Sequence, residues 1–233
     1  MLNNIDKIYI VSYVKNEKLR ANIAYQLYYH DITDFEFYYT YDVSENIINN
    51  PNAINIKHLS ASYAHYDLMK RSYELGYNRI MVFEDDVMFL KDKNEFKNTL
   101  NEALSLQDNI VFIDYKIEPK CFIEGVNETW IALQSGYIVD REGMEFYIKN
   151  FEKSPHVIDQ YTYCYIKDNK YRPTKYGLLW YIDNIEFCHY LEKQDITLYY
   201  INNRLCYQKD LIYDDGPNNI EINKINKDKY FDL

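Results

Sequence analysis

Residues 84 to 86 read Glu-Asp-Asp, and they follow Ile80-Met81-Val82-Phe83 without a turn residue between. An unbroken apolar run of this length predicts a strand buried on both faces, as in a parallel sheet. The strand would deliver three carboxylates to the point where water begins. In open α/β sheets, ligands bind there, in the crevice beyond the carboxyl ends of the strands. Carboxylates a few ångströms apart repel and need a positive partner. A hard cation, Mg²⁺ or Mn²⁺, can be that partner, and it needs only one or two carboxylates when a phosphate supplies other oxygens. The alternative is a solvated acidic turn without a ligand, and the triplet alone does not separate the two.

The elements that must position these acids can be read in order. Lys7 to Val11 predicts a first strand, which delivers Ser12, Tyr13 and Asn16 to a loop. Leu19, Ile23 and Leu27 recur at helical spacing. Phe35 to Tyr39 predicts a second strand ending near Asp42, and the Asn-rich stretch from Ser44 to Ile56, with Pro51, predicts a surface loop. Ser60 is placed to cap a helix running to Leu75, with Gly76 as its stop. Ala61, His65, Leu68, Ser72 and Leu75 would share one face, turning His65 toward the core or the sheet end. Most such histidines are satisfied structural residues; the other reading is a ligand-side role. Asp92 lies in an exposed turn, Phe96, Leu100 and Leu104 mark another helix, and Ile110 to Ile113 is a buried strand that also ends in an acid, Asp114.

Lys116 to Thr129 predicts a loop, and Trp130 to Val139 is strand-like around Ser135-Gly136. A Gly there suggests close approach by a ligand or another strand. Met144, Tyr147, Ile148 and Phe151 form a helix stripe that Ser154-Pro155 ends. Asp159 opens a further segment, where an N-cap role is the plain alternative to chemistry. Tyr176 to Lys193 predicts a largely helical stretch holding Asp183 and His189, followed by a strand over Thr197 to Ile201 and a short one over Leu205 to Gln208. Strands alternating with helices predict one α/β domain with a mostly parallel sheet flanked by helices. It would span residues 1–215, with 216–233 a polar tail.

Composition narrows the function classes. The formal net charge of −10 repels nucleic acid, and no basic stripe with interleaved aromatics offsets it. A phosphate-bearing ligand would therefore need a metal or local cations. Cys121, Cys164, Cys188 and Cys206 form no CxxC pair, which argues against structural zinc and for reduced thiols. The start lacks the basic and apolar regions of a signal peptide, and no apolar run reaches membrane-span length. The expectation is a soluble cytoplasmic protein, in which the sequon Asn127-Glu128-Thr129 is idle.

The ordered series of features resembles glycosyltransferase family 25, the lipopolysaccharide-type group that includes the collagen galactosyltransferases. The residues that carry the resemblance begin with Ile8 to Tyr13, then Lys18-Leu19-Arg20 and Gln26-Leu27. They continue through Phe35 to Asp42, Ala64-His65, Glu84-Asp85-Asp86, Ser135 to Val139 with Gly143, Pro155 to Asp159, and Leu205 to Gln208. Ala64 and Met144 depart from the family's usual Ser and Ala, and residues 160–195 fit worst. The resemblance implies a GT-A-like domain, a nucleotide-sugar donor, Mn²⁺ or Mg²⁺, and inversion at the sugar. On that footing Asp86 and Glu84 hold the metal, Glu84 alternatively touching ribose, and Asp85 is an alternate ligand. Ser12, Tyr13 and Asp42 hold the nucleotide, His65 is counted among the cofactor-binding residues, and Asp159 is the base with Asp183 second. A further metal ligand, His189 among the candidates, is left open.

Two other classes fit parts of the pattern. A glycan- or sugar-nucleotide-binding module of the same fold would share every feature but turnover. A nucleotidyltransferase is also α/β, metal-dependent and acidic at a strand end. It usually carries a Gly-rich basic loop after its first strand, and Ser12 to Arg20 contains no Gly.

Overall fold

The computed structural model describes residues 2, 4–40, 56–89, 92–114, 116–118, 130–132, 135–153, 164–167, 170–173, 198–200 and 205–208. The chain opens with β1 (Lys7–Tyr13), α1 (Glu17–Tyr29), β2 (Glu36–Thr40), α2 (Ile56–Glu74) and β3 (Arg79–Glu84). It continues through β4 (Val87–Met88), α3 (Lys93–Ser105), β5 (Ile110–Phe112), β6 (Lys116–Glu118), β7 (Trp130–Ala132), β8 (Gly136–Asp140) and α4 (Arg141–Lys153). The remaining described elements are β9 (Cys164–Lys167), β10 (Lys170–Pro173), β11 (Leu198–Tyr200) and β12 (Tyr207–Gln208).

The central sheet has six strands in the order β11-β5-β8-β3-β1-β2. The pairs β1–β2, β1–β3 and β11–β5 are parallel, whereas β8 runs antiparallel to both neighbours, β3 and β5. The mostly parallel α/β sheet expected of a GT-A-like domain is therefore present, with one reversed strand near its centre. Side chains alternate across a strand, so each strand feeds two cores. Tyr9, Val11, Ile80, Val82, Phe112, Tyr137 and Val139 pack with Ala64, Leu68 and Met69 of α2 and with Met144 and Phe151 of α4. Ile8, Ile10, Met81, Phe83, Val111 and Ile138 pack with Ile23 and Leu27 of α1 and with Phe96, Leu100 and Leu104 of α3. This two-sided burial is why the strands read as unbroken apolar runs.

Helix ends follow local chemistry. Asp92 caps α3, accepting from the backbone N–H groups of Asn94 and Glu95 at 2.9 Å each. Arg79, at the start of β3, donates to the carbonyls of Leu104 and Leu106 at 3.1 and 3.0 Å and so holds the far end of α3. Gly76 follows α2 with φ of 79°, the left-handed stop expected of it. Gly136 meets a closer neighbour than a sheet strand: a Cβ there would lie 2.9 Å from Cys206 Sγ and 3.2 Å from Ile113 Cγ1.

The structure differs from expectation in several places. Ser60 is inside α2, which begins at Ile56, so it is not a cap. Leu75 lies beyond the helix and is exposed. The stretch from Trp130 to Val139 is two strands in two sheets, because β7 joins a separate four-stranded sheet of order β10-β9-β7-β6. That sheet places β6 where a loop was expected and adds a β9–β10 hairpin that short polar-aromatic strands did not announce. The expected elements around Asp159, Asp183 and His189, and the tail from 216, lie outside the described residues.

His30 gives the fold an acid-sensitive point. Its ring stacks on Phe96, with centroids 3.9 Å apart, and its Nδ1 is buried without a hydrogen-bond partner among the described residues. Burial, helped by the nearby Lys93 charge, holds its pKa down at about 4 against an ordinary 6.5. Between those values the unfolded chain takes up a proton that the folded chain refuses. Stability is thus full above pH 6.5 and falls as pH drops toward 4, by up to about 3 kcal/mol from this group. Urea unfolding of wild type and His30→Phe at pH 7 and pH 4.5 should show a smaller acid loss in the variant. Equal losses would mean that His30 is not kept neutral by the fold.

Candidate functional site

Strand alternation sends the acids that follow Phe83 in different directions. Glu84, in phase with Ile80 and Val82, meets α2, whereas Asp85 meets the segment leading into α1. Asp85 is buried at 7% exposure. Its Oδ2 accepts from Ser12 Oγ at 2.6 Å and from Asn16 Nδ2 at 3.3 Å. Arg20, on the first turn of α1, donates to Ser12 Oγ at 3.3 Å and to the carbonyl of Tyr13 at 2.7 Å. Burial pushes the Asp85 carboxyl above its usual range, while the Ser12 and Asn16 hydrogen bonds and the Arg20 charge oppose that rise. The network fixes the exit of β1 against the exit of β3.

Glu84 is held from the other side. His65, fully buried on α2, places Nε2 3.3 Å from Glu84 Oε1 and Nδ1 2.6 Å from the Tyr137 hydroxyl of β8. The Glu84 backbone N–H donates to the Ser135 carbonyl at 2.8 Å. Ser135 Oγ in turn donates to Asp114, the buried acid that ends β5. Because β8 is reversed, its first residues lie at the same rim as the carboxyl ends of β3 and β5.

Asp86 completes the turn between β3 and β4 and is half-buried, with Oδ1 inside. The backbone just after it is clamped twice. Gln26 of α1 donates to the Val87 carbonyl at 3.3 Å and accepts from the Phe89 N–H at 2.7 Å. On the opposite side β12 pairs with β4, matching Tyr207 to Met88 and Gln208 to Val87.

The structure thus brings Ser12 to Asp85 and His65 to Glu84, and it sets Asp86 in the adjoining turn. Tyr13 ends β1 half-buried, with Lys15 Nζ 5.7 Å from its ring centroid. Asp42, Asp159, Asp183 and His189 lie outside the described residues. Residues that sequence reasoning gave no site role are Asn16, Arg20, Gln26, Asp114, Ser135 and Tyr137. Asp114 had a visible signal, an acid at the end of a buried strand. The others act through backbone and second-partner bonds that leave no spacing pattern.

Among the described residues no three His, Cys, Asp or Glu side chains gather as a metal-holding group. A protein cage for a metal is therefore not what these residues form. Carboxylate oxygens such as those of Asp86 and Glu84 are the donor type that a hard ion takes, and such an ion can draw its other ligands from phosphate and water.

No family model matches the sequence. The chain is similar to the lacto-N-neotetraose biosynthesis glycosyltransferase LgtE of Neisseria meningitidis serogroup B, at 24% identity over 161 residues, which are 63% of this chain and 50% of that protein. It spans about half the length of the curated relative it matches. One solved structure with a similar course is a glycosyltransferase involved in glycosylation of the major capsid of PBCV-1, with TM-score 0.37, 12% identity, and 63% and 65% of the two chains covered. Another is a protein assigned as a glucose-1-phosphate thymidylyltransferase from Bacillus anthracis, with TM-score 0.37, 11% identity, and 84% and 85% covered. At these TM-scores neither structural likeness bears on function. No helix among the described residues is long and apolar enough to cross a membrane.

Removing the Ser12 hydroxyl should expose how much the Asp85 network matters. Ser12→Ala takes the shortest hydrogen bond from a buried carboxylate, and losses of this kind cost about 1–3 kcal/mol. Denaturant unfolding should show a destabilisation in that range, and a change within error would mean that water or Asn16 fully replaces the hydroxyl.

Proposed function

We propose that this chain is a metal-dependent glycosyltransferase that moves a sugar from a nucleotide donor, UDP-linked in the first instance, to a hydroxyl of a glycan or glycoprotein, with inversion. The observation that carries the proposal is the acid turn Glu84-Asp85-Asp86 at the carboxyl rim of a mostly parallel sheet, locked to the exit of β1. The similarity to LgtE supports the class, and that protein's role in lacto-N-neotetraose biosynthesis supports a glycan hydroxyl as acceptor.

The residues divide the work as follows. Ser12, Tyr13 and Asp42 bind the base and ribose at the ends of the first two strands. Asp85 serves them by fixing Ser12, and Arg20 by fixing the Tyr13 carbonyl. Asp86 and Glu84 hold Mn²⁺ or Mg²⁺ together with the donor diphosphate. Such an ion, when bound, neutralises charge on the departing diphosphate. Asp159, with Asp183 as the alternative, takes the proton from the acceptor hydroxyl, and it must lie within about 3 Å of that oxygen.

Calorimetry with UDP should show binding in Mn²⁺ and little after chelation. Equal affinity in both conditions would remove Asp86 and Glu84 from their assigned roles. Asp86→Asn should lose nearly all transfer while its unfolding temperature holds or rises slightly, since a carboxylate kept for an ion is not a packing residue. Wild-type turnover in that variant would overturn the assignment. For the base, Asp159→Asn should keep donor binding and lose turnover by orders of magnitude. A lower unfolding temperature with unchanged transfer would make Asp159 a helix cap and move the test to Asp183→Asn.

A further inference from the structure

The contact between His65 and Glu84 has no role in the reaction as described so far. His65 is 0% exposed and sits between two partners on different elements, the Glu84 carboxylate of β3 and the Tyr137 hydroxyl of β8. Its two ring nitrogens thus each face one oxygen, Nε2 the Glu84 carboxylate and Nδ1 the Tyr137 hydroxyl, with donor and acceptor roles that follow the tautomer. The short contact of 2.6 Å to the Tyr137 hydroxyl holds the ring plane. Tyr137 is itself 1% exposed and packed in the core beside Tyr147, so the chain of bonds ends on a rigid support. Glu84 is half-buried at the rim, with a side chain 26% exposed. One of its oxygens, Oε1, is therefore aimed by the core while part of the side chain remains open to solvent.

We infer that His65 is a positioning residue, which, backed by Tyr137, sets the orientation in which Glu84 meets the donor side of the site. The inference rests on the glycosyltransferase reading for its consequence in turnover, but not for the geometry. A histidine that merely filled the core would show different behaviour on substitution: its effect would be independent of Glu84 and would follow volume. A histidine acting through Glu84 has its effect only while Glu84 is present. Partners that orient a ligating or binding carboxylate or imidazole typically matter by about 10- to 100-fold.

The test is a double-mutant cycle with a conservative series. Donor turnover and the affinity for UDP with Mn²⁺ would be measured for wild type, His65→Leu, Glu84→Gln and the double variant. Turnover should fall about 10-fold or more in His65→Leu, and the double variant should be no worse than Glu84→Gln alone. His65→Gln, whose amide nitrogen reaches the Nε2 position, should recover much of the loss, and His65→Asn, whose shorter amide reaches only the Nδ1 position, should not. Additive losses, or equal losses in His65→Gln and His65→Leu, would overturn the inference. If His65→Leu does not fold, Tyr137→Phe replaces it in the cycle, because it deletes one hydroxyl and keeps the ring. A readout free of activity is the imidazole nitrogen resonances of isotope-labelled histidine. Glu84→Gln and Tyr137→Phe should each shift the His65 signals while leaving His30 unmoved. Unmoved His65 signals would overturn the inference whether or not any sugar is transferred. Absence of turnover with every UDP-, GDP- and dTDP-sugar, by contrast, would overturn the proposed reaction and leave the resonances to decide the coupling.

Discussion

A buried hydrogen bond of 2.6 Å between Ser12 and Asp85 joins the ends of two neighbouring parallel strands. Parallel strand ends are otherwise held together only by the ladder behind them, and each then departs into its own loop. The bond stops the two exits from drifting, and Asn16 and Arg20 extend it into the first turn of α1. A carboxylate at 7% exposure would be costly if left without partners. The acid therefore forces the β1 exit to remain where it can donate. What looks like one of three acids facing solvent is a fastening between two strands, while Glu84 beside it is held from the other side by His65 and Ser135.

The reversed strand performs the complementary task. A parallel neighbour would arrive at this rim with its carboxyl end, bringing carbonyls and a departing loop. β8 arrives with its first residues, so Ser135 can accept from the Glu84 N–H and donate to Asp114, and Tyr137 can reach His65. The narrowness of Gly136 lets Cys206 lie against the same corner. Polar groups from β3, β8 and α2, with Asp114 beyond β5, are in this way satisfied among themselves at the carboxyl rim of the sheet, as buried polar groups must be.

Much of this was legible in the residues. Ile80 to Phe83 and Ile110 to Ile113 read correctly because burial on both faces demands unbroken apolar runs. Gly76 read correctly because few other residues tolerate its φ of 79°. Phe96, Leu100 and Leu104 gave α3 because its outer face is uniformly polar. Ser60 misled because a capping residue and an interior serine look alike until the preceding turn is known. The split between β7 and β8 was hidden because both halves favour strand, and only the partner sheets differ. In the site, spacing found the acids but not their division of labour. Which carboxylate turns inward follows from the strand's phase relative to α1 and α2, a tertiary fact. Gln26 and Tyr137 lie in segments that carry the family resemblance, yet neither they nor Asn16 show a role until their partners are placed.

The pairing of β12 with β4 also bears on how the molecule is assembled. Tyr207 and Gln208 close on Met88 and Val87 across more than half of the chain, whereas β1 and β2 are near neighbours in sequence. Contacts of such long separation form late, after the loop-closure entropy has been met by earlier ones. The six strands of the central sheet are all present by Tyr200, so the scaffold precedes the last clamp on the acid turn. A nascent chain emerging from the ribosome would therefore hold a sheet before it holds a finished site. The segment around Leu205 acts as the closing stitch on the turn between β3 and β4.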